Sequence, residues 1–351
     1  MKEDSSGKFK SLFEYYGFTK EDEKKYPVIS RILKKLTPER IKKEIEAIQA
    51  IKLPPELQKW VEEYEKVGKR NNFLWKWLYN SFQFVYIPIV PKKFKNSLRK
   101  NKVLITVFIT VLNDTGDKKE ENLFKELAKI PTQNNANFSS ISRKEWRMIY
   151  IFTKKVWHVI LKELKKYPRY REFKDIFYFD ITQVVNGIKY SLLVNKNPWL
   201  INKTEYWFYI SHKMMAVVYS DIDLMASSNI DRKLFPELRK IILDSQKMAR
   251  IGNWISTWER EIKENDFTSG VFAYAINEGI FTANDLKKER KSEIIKRIKK
   301  AKVEKTLLKD WEKYYFKVKK TSKAMQPINI EQFLSSLKKL LIFHLISKGY
   351  K

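Results

Sequence analysis

Apolar positions recur at three- and four-residue spacing along most of the chain, the signature of helices that bury one face. The pattern predicts helices over 7–16, 28–49, 54–66, 70–86, 91–112, 119–129, 142–166, 170–196, 204–226, 232–264, 268–277, 282–301, 303–322 and 329–348. Breakers fall where those segments meet. Pro54-Pro55 precedes one helix, Pro88 and Pro91 flank a turn, Pro131 ends a helix, Pro198 divides two, and Pro327 precedes the last. Ser142 followed by Glu145 resembles a capping box behind the polar loop Thr132–Ser142. Only Phe82–Val90 alternates in the manner of a strand, and weakly, and no segment repeats at a fixed period. The expected architecture is all-α: a single large helical bundle over 91–351, with an N-terminal helical extension over 1–90 packed on it.

Composition removes several classes of chemistry. There is no cysteine, so there is no disulfide framework, Cys–zinc site or thiolate nucleophile. The three histidines, His158, His212 and His344, are far apart in sequence, which disfavours a His-rich metal site. With 9 glycines and no G-x-G-x-x-G or Walker-type run, a dinucleotide or P-loop fold is disfavoured too. The longest apolar stretch, Val103 to Leu112, is too short to span a bilayer and reads as a buried helix. The polar N-terminus has no apolar run behind it. A soluble cytoplasmic protein is expected, monomeric or homodimeric.

The 71 Lys+Arg against 41 Asp+Glu give a net charge of +30, which suits nucleic acid, an anionic membrane surface or a polyanionic substrate. Yet 57 of those cations are Lys and 14 are Arg, and they are spread in runs such as Lys24-Lys25, Lys118-Lys119, Lys165-Lys166 and Lys299-Lys300. Groove readers favour the bidentate fork of Arg. The charge therefore reads mainly as a solvated surface, with weak attraction to anionic membranes and no nucleic acid expected.

Two segments concentrate polar oxygen chemistry at helical spacing. On the predicted helix 232–264, with Asn253 set at zero, Thr257 lies at about +40° and Glu261 at about +80°. Arg250 falls at about +60°, Arg260 at about −20° and Glu264 at about +20° on the same scale. An amide, a hydroxyl and a carboxylate thus share a face flanked by two cations. Such hard oxygens suit Mg²⁺, and the arginines suit phosphate oxygens. Glu264 is placed to pair with Arg260 at i, i+4. In the other segment Asn113 and Asp117 share a face, with Asp114 about 100° round. The apolar helix behind carries Thr106 and Ile109 on that face and could line a cavity. Each segment also has an ordinary reading: a wet face with a salt bridge, and a helix end passing into a polar turn.

Together the two segments resemble the class I terpene synthases. Asn113-Asp114-x-x-Asp117 is similar to the family's aspartate-rich motif, with Asn in the first position. Asn253-x-x-x-Thr257-x-x-Arg260-Glu261 is similar to its second motif, with Trp254 where an Asp usually stands. Their separation, 253 − 113 = 140 residues, matches the family's. The run Glu261 to Tyr274 resembles the family's E-x-x-x-G-D-x-x-S-x-x-x-x-Y, with Asn265 in the Gly position. The stretches His212–Met215 and Asp221–Met225 resemble a helix region of the bacterial members.

The resemblance implies a bundle of the class I isoprenoid synthase type. It implies three Mg²⁺ ions held by Asn113, Asp114 and Asp117 on one side and Asn253, Thr257 and Glu261 on the other. Arg250 and Arg260 would add charge for the diphosphate of a farnesyl, geranyl or geranylgeranyl substrate. The allylic cation would then cyclise or rearrange. The family's upstream sensing arginine has no assigned counterpart: either other cations such as Lys203 or Lys213 take its place, or the chain is a divergent member with altered chemistry. Lys313-Tyr314 is the nearest counterpart of the family's closing Arg-Tyr pair. Trp75–Trp77, Phe82–Tyr86 and Tyr206–Tyr209 are candidate pocket walls, or plain core aromatics. A prenyltransferase of the same fold and a Lys-rich helical nucleic-acid binder are the alternatives.

Overall fold

A computed structural model describes residues 9–117, 120–132, 143–325 and 328–350, with the backbone alone described for Asp117. Ser142 and most of the 132–142 loop lie outside them. All regular structure among the described residues is helical. In chain order the helices are α1 (Leu12–Tyr15), α2 (Lys20–Lys25), α3 (Pro27–Lys34), α4 (Pro38–Gln49), α5 (Pro55–Glu65) and α6 (Asn72–Ser81). Then come α7 (Lys95–Asp117), α8 (Glu121–Lys129), α9 (Lys144–Leu164), α10 (Tyr170–Lys196), α11 (Lys203–Phe208) and α12 (Ala216–Ala226). The last third holds α13 (Phe235–Lys263), α14 (Gly270–Asn277), α15 (Asp285–Lys288), α16 (Lys291–Ala301), α17 (Val303–Thr321) and α18 (Ile330–Ile346).

Where the helices differ from the expected spans, local chemistry gives the reason. The 28–49 segment divides because Pro38 has no N–H to continue α3; it opens α4 instead, under a Thr37 hydroxyl that accepts from Arg40 N at 3.3 Å. The 7–16 helix shrinks to one turn. A further helix, α2, follows, with a capping box in which Thr19 and Asp22 bond each other's backbone N–H. The 282–301 segment splits into α15 and α16 around Glu289 and Arg290. The 204–226 segment breaks into α11, a 3₁₀ turn over Ile210–Met214, and α12. The break falls at Met215, whose φ of 58° is left-handed and costs a non-glycine residue about 1 kcal/mol or more. Phe82–Val90 forms no strand; it is an irregular link in which the Val85 carbonyl accepts from Lys102 of α7 and Ile87 N donates to Asp223 of α12.

One buried apolar cluster runs from Leu12 to Ile346. Helix α13 sits at its centre, packed on α17, α18 and α12, while α7 packs on α9 and α10. The N-terminal helices lie over this frame, α3 on α17, α4 and α6 on α18, and α5 and α6 on α7. The N–H groups at the start of α3, which have no partner within the helix, are capped from a distance: Glu312 of α17 accepts from Val28 N at 2.9 Å and Ile29 N at 2.8 Å. Inside the bundle, Arg239 of α13 bonds both oxygens of Asp180 on α10, at 2.6 and 3.1 Å, and reaches Asp221 of α12 at 3.4 Å. Burial and the facing Asp180 push the Asp221 carboxyl well above its usual range, opposed by the charge of Arg239.

Gly270 fixes a second close approach. A Cβ at this first residue of α14 would fall 2.4 Å from the ring of Trp254, itself fully buried against Trp207 with ring centroids 4.8 Å apart. The ring has no room to give. Gly270→Ala is therefore expected to lower the unfolding free energy by about 1–3 kcal/mol, read as a reduced denaturation midpoint. An unchanged midpoint would show that this contact is slack.

Candidate active site

A cavity of about 240 Å³ opens between α6, α7, α12, α13 and α18. Each wall is one face of a helix. On α7 the face is Lys102, Thr106, Ile109, Thr110 and Asn113; on α12 it is Ala216, Tyr219, Ser220 and Asp223. Helix α13 contributes Ile242, Ser245, Ala249, Arg250, Asn253, Thr257, Arg260 and Glu261. Asn113, Asn253, Thr257 and Glu261 belong to the end where Arg70 and Arg260 reach solvent, with side chains 21% and 30% exposed. The middle is walled by Trp77, Leu78, Phe82, Leu337 and Leu340.

The structure brings together Asn113, Arg250, Asn253, Thr257, Arg260 and Glu261 around this one cavity. Arg250 donates to Asn253 Oδ1 at 2.8 Å, and the Thr257 hydroxyl donates to the Asn253 carbonyl at 2.8 Å. Glu261 is buried, and its Oε2 has no hydrogen-bond partner. Burial pushes its carboxyl up, helped by nearby Asp266 and opposed by Arg260 and Arg250. Arg260 also pairs with Glu264 at i, i+4.

The end of α13 explains how Asp266 comes so close. Asn265 takes the left-handed conformation, φ 59°, that a glycine usually fills and Asn tolerates. Asp266 N then donates to Glu261 O at 2.9 Å and Asn265 N to Ile262 O at 3.2 Å, a Schellman ending. Burial raises the Asp266 carboxyl, but Lys213, the Thr268 N–H and hydroxyl and the Asn195 amide together hold it below its usual range. Lys213 reaches the cavity wall through the kink at Met215 and bonds Ser191 Oγ at 3.0 Å. Lys203, the other expected cation, lies over the Tyr274 ring at 3.9 Å.

Asp114 is placed differently from Asn113. Its carboxylate turns to the N-terminal helices, where Arg70 donates to Oδ1 through Nε at 2.9 Å and through a terminal nitrogen at 2.6 Å. The Tyr64 hydroxyl donates to Oδ2 at 2.8 Å. The reason is the turn of about 100° between neighbouring helix positions, which aims Asp114 at α5 while Asn113 faces the cavity. The side chain of Asp117 lies outside the described residues. Trp254, in the place of an expected carboxylate, is locked in the core against Gly270 and Trp207. Of the aromatic segments, Trp77 and Phe82 line the cavity, whereas Trp75 is buried beside Tyr64. Lys313 pairs with Asp310. Arg70 carried no sequence signal, since its partner is 44 residues away.

No group of three His, Asp or Glu side chains placed to hold a metal ion occurs among the described residues. A divalent cation here would use amide and hydroxyl oxygens with one carboxylate. The buried, unbonded Glu261 oxygen beside Asn253 and Thr257 fits a hard cation that keeps waters and substrate oxygens in its shell.

No family model and no curated protein matches the chain. Solved structures do. Linalool/nerolidol synthase from Streptomyces clavuligerus superposes with a TM-score of 0.52 at 9% identity, over 86% of this chain and 94% of that one. Abietadiene synthase from Abies grandis gives 0.56 at 10% identity, over 93% of this chain and 39% of that one. Isoprene synthase from grey poplar leaves (Populus x canescens) gives 0.53 at 12% identity, over 91% and 54% respectively. The chain therefore has the class I terpene synthase fold, and its all-α architecture is the expected one. It spans about half or less of the two plant enzymes. No helix among the described residues is long and apolar enough to cross a membrane.

The Arg70–Asp114 pair gives a direct energetic test. Asp114→Asn and Arg70→Met should each destabilise the fold by about 1–3 kcal/mol, and the double variant should fall short of their sum by about 1 kcal/mol. Strict additivity in denaturant titrations would mean the two side chains do not interact.

Proposed function

We propose that the chain is a Mg²⁺-dependent class I terpene synthase acting on an allylic prenyl diphosphate, with farnesyl, geranyl and geranylgeranyl diphosphate as the candidate substrates. The observation that carries the reading is that the Asn113 face of α7 and the Asn253–Thr257–Glu261 face of α13 open onto one cavity. The fold likeness supports it at the level of class.

On this reading Asn253, Thr257 and Glu261 hold metal from α13, and Asn113 and Asp117 from α7. Asp114 would complete the α7 set, although its carboxylate is held by Arg70 and Tyr64 in this structure. Bound Mg²⁺, three ions by family resemblance, would supply Lewis-acid charge for the diphosphate leaving group. Arg250 stands beside Asn253 and Arg260 beside Glu261, where each adds positive charge to stabilise the departing anion. The apolar middle of the cavity excludes water from the cation left behind. The faces of Trp77, Phe82 and Tyr219 can stabilise positive charge there. Residues 91–351 form the catalytic bundle on this account, and 1–90 an extension that covers it and lends Arg70 to the cavity rim.

The test is turnover of the three prenyl diphosphates with Mg²⁺, followed by analysis of extracted hydrocarbons and alcohols. Glu261→Ala and Asn253→Ala should each cut kcat/KM by about 100-fold or more. Undiminished product formation by either variant would contradict the assignment.

A further inference from the structure

The closed end of the cavity holds a charged pair that diphosphate release does not use. Lys102 and Asp223 both line the wall, and their side chains are 0% and 3% exposed. Lys102 Nζ lies 2.7 Å from Asp223 Oδ1 and 2.9 Å from Oδ2, and it donates to the Val85 carbonyl at 2.8 Å. Ile87 N donates to Oδ2 at 3.1 Å. The ammonium donates to Oδ2 and to the Val85 carbonyl, and the tether from Ile87 also holds Oδ2, which leaves Oδ1 buried beside the ammonium without a hydrogen bond.

Position along the helices sets this pair apart from the polar mouth. Lys102 stands eleven residues before Asn113 on the same face of α7, about 16 Å away. Asp223 stands two turns beyond Met215 on α12. The other carboxylates lining the cavity, Glu261 and Asp266, belong to the open end. One turn in from the pair, the Thr106 and Tyr219 hydroxyls meet at 2.7 Å. Burial pulls the Lys102 ammonium down and pushes the Asp223 carboxyl up, each opposed by the other's charge. The pair anchors the 82–90 link through the Val85 carbonyl and the Ile87 N–H, but that anchoring role does not account for Asp223 Oδ1, which is buried without a hydrogen bond.

Taking the terpene synthase reading as its premise, we propose that Asp223 is the base that ends the reaction, with Lys102 as the residue that positions it. The C–H bond next to the cationic carbon breaks, and its electron pair becomes the π bond of the product alkene. The proton passes to Asp223 Oδ1, leaving a neutral carboxyl beside the Lys102 ammonium. It returns to water when product leaves and the cavity opens. Because the ammonium repels a cation, the pair also fixes the side from which the hydrocarbon presents its C–H.

Two variants test this: Asp223→Asn, and the charge-free double variant Lys102→Met with Asp223→Leu, which keeps the space filled if the single change fails to fold. Diphosphate release and extracted products are measured separately for each. Release should stay within about threefold of the parent protein, since ionisation occurs at the other end. The ratio of the parent alkene to alcohols and isomeric alkenes should fall by about tenfold or more. Normal release with an unchanged product profile in a folded variant would overturn the proposal while leaving the terpene synthase reading intact. Absence of release by the parent protein from all three substrates would overturn that reading, and this inference with it.

Discussion

The fold turns on burying a helix that carries a polar stripe. Helix α13 is 29 residues long and packed on several sides, with Trp254, Ile255 and Trp258 among its fully buried side chains. A buried polar group left without a partner costs about 1–3 kcal/mol, so a stripe of Arg250, Asn253, Thr257 and Glu261 cannot simply be pressed into apolar neighbours. Part of the stripe is satisfied within itself, through Arg250 to Asn253 and Thr257 to the Asn253 carbonyl. The Glu261 oxygen is not. The surrounding helices stand off along this stripe and leave a cavity. That is why one helix both organises the core and presents the site.

Two left-handed residues bracket the same space. Met215 ends the 3₁₀ turn that places Lys213 and Met214 on the wall, and Asn265 reverses the chain so that Asp266 lies behind Glu261. Both carry side chains where glycine would be unstrained. Together with the Arg239 link between α10, α12 and α13, they fix the polar end while the apolar middle stays open. The positive charge that matters here is local. Arg250, Arg260, Arg70 and Lys213 face the cavity, while lysines such as Lys166, Lys240 and Lys296 form exposed short-range pairs on helix surfaces.

Much of this was legible in residue spacing. The helical period gave the class of fold, and the placement of Asn253, Thr257 and Glu261 on one face follows from 3.6 residues per turn. The pairing of Arg260 with Glu264 follows from the same rule. What spacing could not supply was long-range partnership. Asp114 sits in a motif of metal-ligand type, yet its nearest cation, Arg70, comes from the N-terminal helices. Lys102 and Asp223 are 121 residues apart and give no local sign of meeting. The break at Met215 has neither Gly nor Pro to announce it, so the 204–226 segment reads as a single helix until tertiary contacts are seen.

The central claim is that a metal-bound diphosphate occupies the space between the Asn113 face of α7 and the Asn253–Thr257–Glu261 face of α13. A crystal structure of the protein soaked with Mg²⁺ and inorganic diphosphate measures this directly. The account predicts Mg²⁺ within about 2.0–2.1 Å of oxygens from Asn253, Thr257 and Glu261, with Arg250 and Arg260 turned toward the diphosphate. Diphosphate bound only on the lysine-rich exterior, with no metal at those three side chains, would contradict it.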